Sequence, residues 1–169
     1  MKQETALSLE LDTKAYWKDC DGRDYDDDFI KREIEEYVAQ GGRVYVGTDS
    51  MLLAHKCNFA AVIAFHSRDL NIARYYYKRF KTGSVEYKEL QVKILEEVAL
   101  AIQTAQFVLK LCPEADVELH IDIGTKKRNA TARFFKAIQG WVLGTGFDLK
   151  VKPNSWASSL ADGHTKGKK

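Results

Sequence analysis

Alternating apolar and polar residues predict two short strands that each carry an aspartate. In residues 43–50, the odd-numbered residues, which include Gly47 and Asp49, form one face, and the even-numbered residues form the other. We expect Gly47 to leave room beside Asp49 on that face. In residues 117–124, the odd-numbered positions are apolar and the even-numbered ones, ending with Asp122, are polar. If the two strands are neighbours, the two carboxylates converge.

The rest of the hydrophobic pattern predicts that strands and helices alternate along the chain. Short connections between the first three strands favour an antiparallel meander, and a strand that follows a long crossover helix should run parallel to its neighbour. We therefore predict an α/β fold with a five-stranded mixed sheet, three antiparallel strands followed by two parallel ones, flanked by helices. The predicted helices cover residues 29–39, 85–111, 131–143 and 156–162, and the predicted strands cover residues 43–50, 58–67, 72–81, 117–123 and 148–152.

The length and composition indicate one globular domain. With 169 residues, of which 45% are hydrophobic, the chain is long enough to bury a core, and its two prolines argue against long linkers. We assign residues 1–24 to an N-terminal arm and residues 25–169 to a single domain. The sequence has neither a signal peptide nor an apolar run of bilayer length, so we expect a cytoplasmic protein with no membrane partner. The three cysteines lack the spacing of a zinc site or a disulfide framework.

Charge is unevenly distributed along the chain, although the formal net charge is only +2. An acidic run occupies residues 19–28, and the basic residues Lys126, Lys127 and Arg128 follow Asp122. A solvated surface is the simpler interpretation of each run by itself. If Asp122 belongs to a site that acts on nucleic acid, the basic cluster is the expected contact with the phosphate backbone.

Four carboxylates from distant segments could share one pocket. Asp49 and Asp122 would meet at the carboxyl ends of neighbouring strands, where open α/β sheets place their sites. Glu97 lies on the helix face that packs on the sheet, and Asp162 belongs to the last helix. Carboxylates this close cannot all stay ionised unless cations neutralise them, and Mg²⁺ or Mn²⁺ prefers such oxygen ligands. Because two such ions can activate a water and stabilise the leaving oxygen of a phosphodiester, these four acids are the predicted catalytic and metal-binding residues.

The carboxylate on the long helix has alternatives in the same segment. Glu97 fits best because it lies within the apolar stripe that packs on the sheet. Glu96 is its direct neighbour, and Glu89 and Glu86 lie nearer the start of the helix.

Other polar residues have both a functional and a structural interpretation. His120 shares the polar face of Asp122 and could assist a water or a phosphate, but a buried structural histidine is the simpler interpretation. His164 could shuttle protons near Asp162, or it could be an ordinary residue of a polar tail. Residues 74–79 interleave tyrosines with cations, which is typical of a stacking platform for nucleic acid, but an edge strand explains the same residues more simply.

The ordered set of elements and motifs resembles the ribonuclease H-like superfold. The first strand carries Gly-Thr-Asp-Ser, and the fourth carries His-Ile-Asp-Ile-Gly. The chain is most similar to the YkuK family of predicted ribonuclease H-like nucleases. The likeness covers roughly residues 25 to 166 and includes the Glu-bearing long helix, the glycine-rich turn at 140–147, the Lys-Pro-x-Ser segment at 152–155 and the final Ala-Asp.

The resemblance implies a ribonuclease H-like fold with family acids at Asp49, Asp122 and Asp162, and with Glu97 as the helix acid. It also implies a divalent-metal-dependent nuclease that hydrolyses phosphodiester bonds of nucleic acid by a two-metal mechanism. The rival interpretation is a non-catalytic nucleic-acid-binding or scaffold module, because a fold does not fix a function. A small-molecule phosphotransferase is a third option, but the chain lacks a GxxxxGK[ST] loop.

Overall fold

A computed structural model of the chain describes residues 15–67, 72–83, 89–124, 126 and 131–166. The strands are β1 (Trp17–Lys18), β2 (Asp24–Tyr25), β3 (Val44–Leu52), β4 (Lys56–Ser67), β5 (Ile72–Gly83), β6 (Val117–Ile121) and β7 (Asp148–Lys150). The helices are α1 (Asp27–Ala39), α2 (Leu90–Leu111), α3 (Phe135–Gly144), which a 3-10 turn at Ala132–Phe134 precedes, and α4 (Trp156–Asp162). All strands belong to one mixed sheet with the order β2-β1-β5-β4-β3-β6-β7.

The five predicted strands are present as β3 to β7, with the predicted directions. β3, β4 and β5 form an antiparallel meander, β6 runs parallel to β3, and β7 runs parallel to β6. The crossover through α2 therefore places β6 beside β3, because a parallel neighbour needs a long connection. The mixed α/β fold is confirmed.

The number of strands was predicted wrongly, since the described residues form a sheet of seven strands rather than five. The additional strands, β1 and β2, extend the sheet beyond β5, where Lys18 pairs with Tyr77. Trp17, which lies within the segment predicted as an arm, is fully buried in the core. Strands of two residues carry no readable hydrophobic period, and they form only because the folded edge of β5 supplies hydrogen-bond partners. The division into an arm and one domain otherwise stays a prediction.

Helix α1 begins at Asp27, two residues before the predicted start, and the acidic run supplies its cap. The side chain of Asp26 accepts a hydrogen bond from the backbone nitrogen of Phe29 at 2.8 Å, which satisfies one free N–H of the first turn. Ile30 and Ile34 are fully buried on the face that packs on the core. Gly41, at φ +79°, then turns the chain towards β3, in a backbone conformation that favours glycine.

The helices cover the two faces of the sheet unequally. One hydrophobic cluster packs α1, α2 and α3 on the face of the sheet opposite Asp49. It includes Val46 of β3, Val98 of α2 and Ile138 of α3. A smaller cluster on the other face joins α4 to β4 and includes Ala161 and Val62. None of the described helices combines the length and hydrophobicity that a membrane span needs. Among the described helices, only α4 packs on the face that carries Asp49.

Candidate functional site

Strands β3 and β6 place two of the predicted acids next to each other. Thr48 pairs with Ile121 in the parallel register, so Asp49 and Asp122 are the next residues along the two strands. Gly47 and His120 are also paired, and each lies two residues before one of the acids. Because side chains alternate between the two faces of a sheet, Asp49 and Asp122 lie on the same face as Gly47 and His120. The charge of Asp122 also contributes to the electrostatic environment of the Asp49 carboxyl.

Helix α4 brings Asp162 to the same place, and Gly47 makes this possible. A Cβ at Gly47 would overlap the carbonyl group of Ala157 and would lie 2.5 Å from the backbone nitrogen of Ser158. The room that the sequence predicted beside Asp49 is therefore filled by the backbone of α4. From this position, Asp162 raises the pKa of Asp49 more than any other charged group does.

The turn after α4 adds a contact that the sequence did not predict. Thr165 is fully buried, and its hydroxyl lies 3.3 Å from Oδ2 of Asp49 and 3.0 Å from the carbonyl oxygen of Asp162. A hydroxyl has one proton, so it donates to one of these oxygens at a time. The carbonyl oxygen of Thr165 accepts a hydrogen bond from Nδ2 of Asn58 at 2.9 Å, which fixes the turn on β4.

Glu97 approaches from the opposite face of β3. Its side chain is 5% exposed, and Oε1 accepts a hydrogen bond from the hydroxyl of Ser50. Two residues earlier in β3, the hydroxyl of Thr48 donates to the carbonyl oxygen of Glu97 at 2.8 Å. These two contacts hold α2 against the end of β3, so that Glu97 reaches the strand end where Asp49 lies.

Burial and mutual repulsion disfavour the ionised forms of two of these acids. Burial raises the pKa of Asp49 to about 7, and the carboxylates of Asp162 and Asp122 add to the rise. Burial raises the pKa of Glu97 to about 8, and the charges of Asp49 and Asp122 add to it, against the opposing effect of the Ser50 hydroxyl. Near neutral pH, both groups therefore bind a proton part of the time unless a cation neutralises the cluster.

The geometry favours Glu97 among the possible helix acids, because both its carbonyl and its carboxyl contact β3. Glu96 is also buried, but it lies about 100° further around the helix. Glu89 is exposed at the N-cap of α2, and Glu86 lies outside the described residues.

Two lysines that were not predicted as site residues form ion pairs with two of the predicted acids. Nζ of Lys152 is 3.1 Å from Oδ1 of Asp122, and Nζ of Lys166 is 3.5 Å from Oδ2 of Asp162. Both lysine side chains are more than half exposed, so these pairs are weak and exchange readily with solvent. The backbone nitrogen of Lys152 donates to the carbonyl oxygen of Ile123, which fixes this loop beside Asp122.

The predicted nucleic-acid contacts are described only in part. Lys126 is exposed, whereas Lys127 and Arg128 lie outside the described residues. The stacking platform predicted as one option for residues 74–79 is wrong in its central residues, because Tyr76 and Tyr77 are each only 4% exposed. The alternation of faces that defines a strand places these rings in the packed layers on either side of β5.

His120 is a buried structural residue rather than a group that faces solvent. The side chain is fully buried, and Nδ1 accepts a hydrogen bond from the backbone nitrogen of Ala157 at 3.0 Å. Because Nδ1 accepts, the proton is assigned to Nε2, which donates to Oε1 of Glu118 at 2.9 Å. Both nitrogens are thus used within the protein, and the proposed assistance to a water or a phosphate is not available.

His164 is fixed on β5 rather than lying in a polar tail. Its ring stacks on that of Tyr77 with a centroid distance of 3.6 Å, and Nε2 lies 2.9 Å from the hydroxyl oxygen of Tyr75. Burial lowers the pKa of His164, and the nearby charge of Arg79 lowers it further. This histidine therefore anchors the turn that carries Thr165.

The four predicted acids are neighbours, but they are not assembled into a ready set of ligands. Within the part of the chain that the structure describes, no group of three or more His, Cys, Asp or Glu side chains is placed to hold a metal ion. Each acid contacts another partner: Asp49 contacts Thr165, Glu97 contacts Ser50, Asp122 contacts Lys152, and Asp162 contacts Lys166. The donor atoms are nonetheless all carboxylate oxygens, which are the ligands that Mg²⁺ and Mn²⁺ prefer.

Comparison with known proteins identifies one family. A protein-family model described as Ribonuclease H-like matches residues 28–166, which is most of the chain. The match begins within α1 and extends past α4, so it includes all four predicted acids. Comparison with curated proteins finds no match.

Proposed function

We propose, from the premise that this chain belongs to the Ribonuclease H-like family, that it is a divalent-metal-dependent nuclease that hydrolyses phosphodiester bonds of nucleic acid. The family itself suggests a nuclease or another function that involves nucleic acid. The observation that supports the more specific proposal is the raised pKa of the Asp49 carboxyl group. Burial and the charges of Asp162 and Asp122 raise its pKa to about 7, and a carboxyl group perturbed in this way among other carboxylates favours a functional site.

Asp49, Glu97, Asp122 and Asp162 would hold Mg²⁺ or Mn²⁺. When bound, a pair of such ions supplies activation of a water and stabilisation of the leaving oxygen. Asp49 and Glu97 must each lose a proton before their carboxylates can act as metal ligands. Their hydrogen-bond donors, Thr165 and Ser50, hold the two carboxyl groups in place in the meantime.

The lysines at the site complete the proposal. Lys152 and Lys166 would leave Asp122 and Asp162 when a cation neutralises the acids, and their ammonium groups would then be available to the phosphate backbone. Lys126 is exposed and suits the same role, and Lys127 and Arg128 are proposed contacts from their position in the sequence. A cytoplasmic location remains part of this proposal.

A substitution at Asp49 tests the proposal. Asp49→Asn keeps the shape of the side chain but removes a charged ligand, so it should abolish Mn²⁺-dependent cleavage of labelled DNA, RNA and hybrid substrates. Circular dichroism and nucleic-acid binding should be unchanged, because Asp49 is not a phosphate contact. Glu36→Gln, on the exposed face of α1, is the matched control and should retain cleavage. Full cleavage by Asp49→Asn would refute the nuclease mechanism.

A non-catalytic nucleic-acid-binding or scaffold module is the second candidate. The observation that favours it is that the four acids contact partners within the chain and that the described residues contain no assembled ligand group. The melting temperature with and without Mn²⁺ separates the two candidates. A ligand that binds only the folded state stabilises it, so a functional carboxylate site gains stability and an inactive one does not.

A further inference from the structure

A buried polar network connects β6 to the first turn of α4, and the proposed chemistry does not use it directly. Its centre is His120, which is fully buried between the sheet and α4. Nδ1 of His120 accepts from the backbone nitrogen of Ala157 at 3.0 Å. The ring of Trp156 packs edge-on against that of His120, with a centroid distance of 5.2 Å.

The contact with Ala157 replaces a conventional helix cap. The first N–H groups of a helix have no partner within the helix. Ser155 occupies the N-cap position of α4, but its side chain forms no capping hydrogen bond within the described chain. His120 therefore supplies an acceptor from the neighbouring strand, and it ties the start of α4 to the sheet rather than to its own preceding residue.

Two further residues fix the orientation of the histidine ring. Nε2 of His120 donates to Oε1 of Glu118 at 2.9 Å, and Oε2 of Glu118 lies 2.5 Å from Nη1 of Arg43. Arg43 also forms ion pairs with Asp116, which lies just before β6, and with Asp148, the first residue of β7. This arrangement resembles the way in which outer partners orient a histidine elsewhere, here with a helix N–H in place of a ligand.

The position of α4 depends on such external contacts because the helix is short. α4 has seven residues, so it contains few internal hydrogen bonds and its orientation comes from tertiary packing. The contact at Ala157 lies directly above Gly47, and Asp162 lies little more than one turn further along the helix. A shift of the first turn would therefore move Asp162 relative to Asp49.

We infer that His120 is a positioning residue, which fixes the first turn of α4 over Gly47 and thereby holds Asp162 beside Asp49. The inference rests on the proposed function, because its purpose is the geometry of the acid site. It makes two claims that can be measured separately. His120 controls the order of α4 in the metal-free protein, and it influences metal affinity only through Asp162.

A pair of substitutions separates the two hydrogen bonds of the ring. His120→Asn can place an acceptor oxygen near the position of Nδ1, and so retains the bond to Ala157. His120→Gln can donate to Glu118 in place of Nε2, but leaves Ala157 without its acceptor. Substitution of a residue that orients a metal ligand typically changes metal affinity about 10- to 100-fold. We expect His120→Gln to weaken Mn²⁺ binding about tenfold and His120→Asn to weaken it much less.

A double-mutant cycle with Asp162→Asn tests whether the effect passes through Asp162. If it does, His120→Gln causes no further loss of Mn²⁺ affinity in the Asp162→Asn background. An equal loss in both backgrounds, or equal losses from His120→Gln and His120→Asn, would overturn the inference. Glu118→Ala removes the partner of Nε2 without altering His120, and it provides the second variant if His120→Gln does not fold. Because the bond to Ala157 remains, Glu118→Ala should weaken Mn²⁺ binding less than His120→Gln does, and that loss should disappear in the Asp162→Asn background.

Amide hydrogen exchange of the metal-free protein provides the independent measurement. Without its acceptor, the Ala157 amide should exchange at least about tenfold faster in His120→Gln, whereas exchange in His120→Asn should stay close to that of the unsubstituted protein. Unchanged exchange in His120→Gln would refute the positioning role even if the protein binds metal. If the unsubstituted protein does not bind Mn²⁺, the proposed function fails, whereas the exchange rates still decide whether His120 orders α4.

Discussion

Gly47 and Ala157 lie in contact where α4 crosses β3, so closely that a side chain at position 47 would overlap the Ala157 carbonyl group. This contact decides how near α4 can approach the sheet. It also connects a strand and a helix that are distant in sequence but share the predicted acid site. The effect of adding one methyl group at Gly47 should therefore reach Asp162.

Gly47→Ala should displace α4 and lower both stability and Mn²⁺ affinity. Overpacking of this kind costs about 1 to 3 kcal/mol, because backbone atoms rather than a flexible side chain must move. Thermal unfolding and Mn²⁺ titration would measure the two effects. Gly140→Ala is the matched control. It lies on α3 with nothing within 4 Å of an added Cβ, and should be neutral or stabilising.

Asp49→Asn should stabilise the metal-free protein at alkaline pH. A carboxyl group whose pKa is raised in the folded state binds more protons there than in the unfolded state, so stability falls as pH increases from about 4 to about 7. The shift from 3.8 to about 7 sets an upper limit of about 4 kcal/mol, and solvent relaxation reduces this to an expected 1 to 2 kcal/mol, or about 2 to 8 °C in melting temperature.

The comparison between pH values isolates this effect. At pH 8, Asp49→Asn should melt at a higher temperature than the unsubstituted protein, and near pH 4 the difference should disappear because both side chains are neutral. Chelator is present throughout to remove metal. A difference in melting temperature that is independent of pH would show that the Asp49 carboxyl is not perturbed.

Mn²⁺ affinity should increase with pH between about 6 and 8. Asp49, with a pKa of about 7, and Glu97, with a pKa of about 8, must be deprotonated to bind a cation, so metal binding releases protons. Isothermal titration calorimetry in buffers of different ionisation enthalpy measures that release. Glu97→Gln should bind Mn²⁺ more weakly and release fewer protons. A constant affinity over this pH range would contradict the assignment of both acids as ligands.

Lys152→Met should strengthen the binding of Mn²⁺ and weaken the binding of nucleic acid. Loss of the ammonium group frees Asp122, so Mn²⁺ should bind up to about fivefold more tightly, the range expected from an exposed ion pair. Nucleic acid should bind more weakly, with a smaller dependence on salt, because a phosphate contact is lost. Lys136→Met, on an exposed position of α3, is the control for a general change in charge. If both affinities fall, Lys152 is a structural residue of the loop.

The regular elements were predictable because their hydrophobic periods are long. The predicted bounds of α4 agree with the structure, and those of β3, β4 and β6 differ by a few residues, since each strand packs on at least one apolar face. The family resemblance is confirmed at the level of the ribonuclease H-like superfamily. The two-residue strands β1 and β2 were missed because nothing within so short a segment distinguishes a strand from a loop.

The contacts around the acids were less predictable than the acids themselves. Thr165 belongs to no periodic pattern, and Lys152, predicted as the end of a strand, lies in the segment after β7, so each acts from a segment whose path only tertiary structure determines. The alternation of residues placed His120 correctly on the polar face of β6, but that face is covered by α4. A sequence therefore indicates which face a side chain occupies more readily than what covers that face.

The hydrogen bond between Thr165 and Asp49 spans 116 positions in the chain. During synthesis, β3 leaves the ribosome long before α4 and its following turn exist, and contacts between such distant segments form slowly. The acid site therefore cannot form until the turn that carries Thr165 has also left the ribosome. If the proposed function is right, a nascent polypeptide would have no complete acid site until that turn emerges.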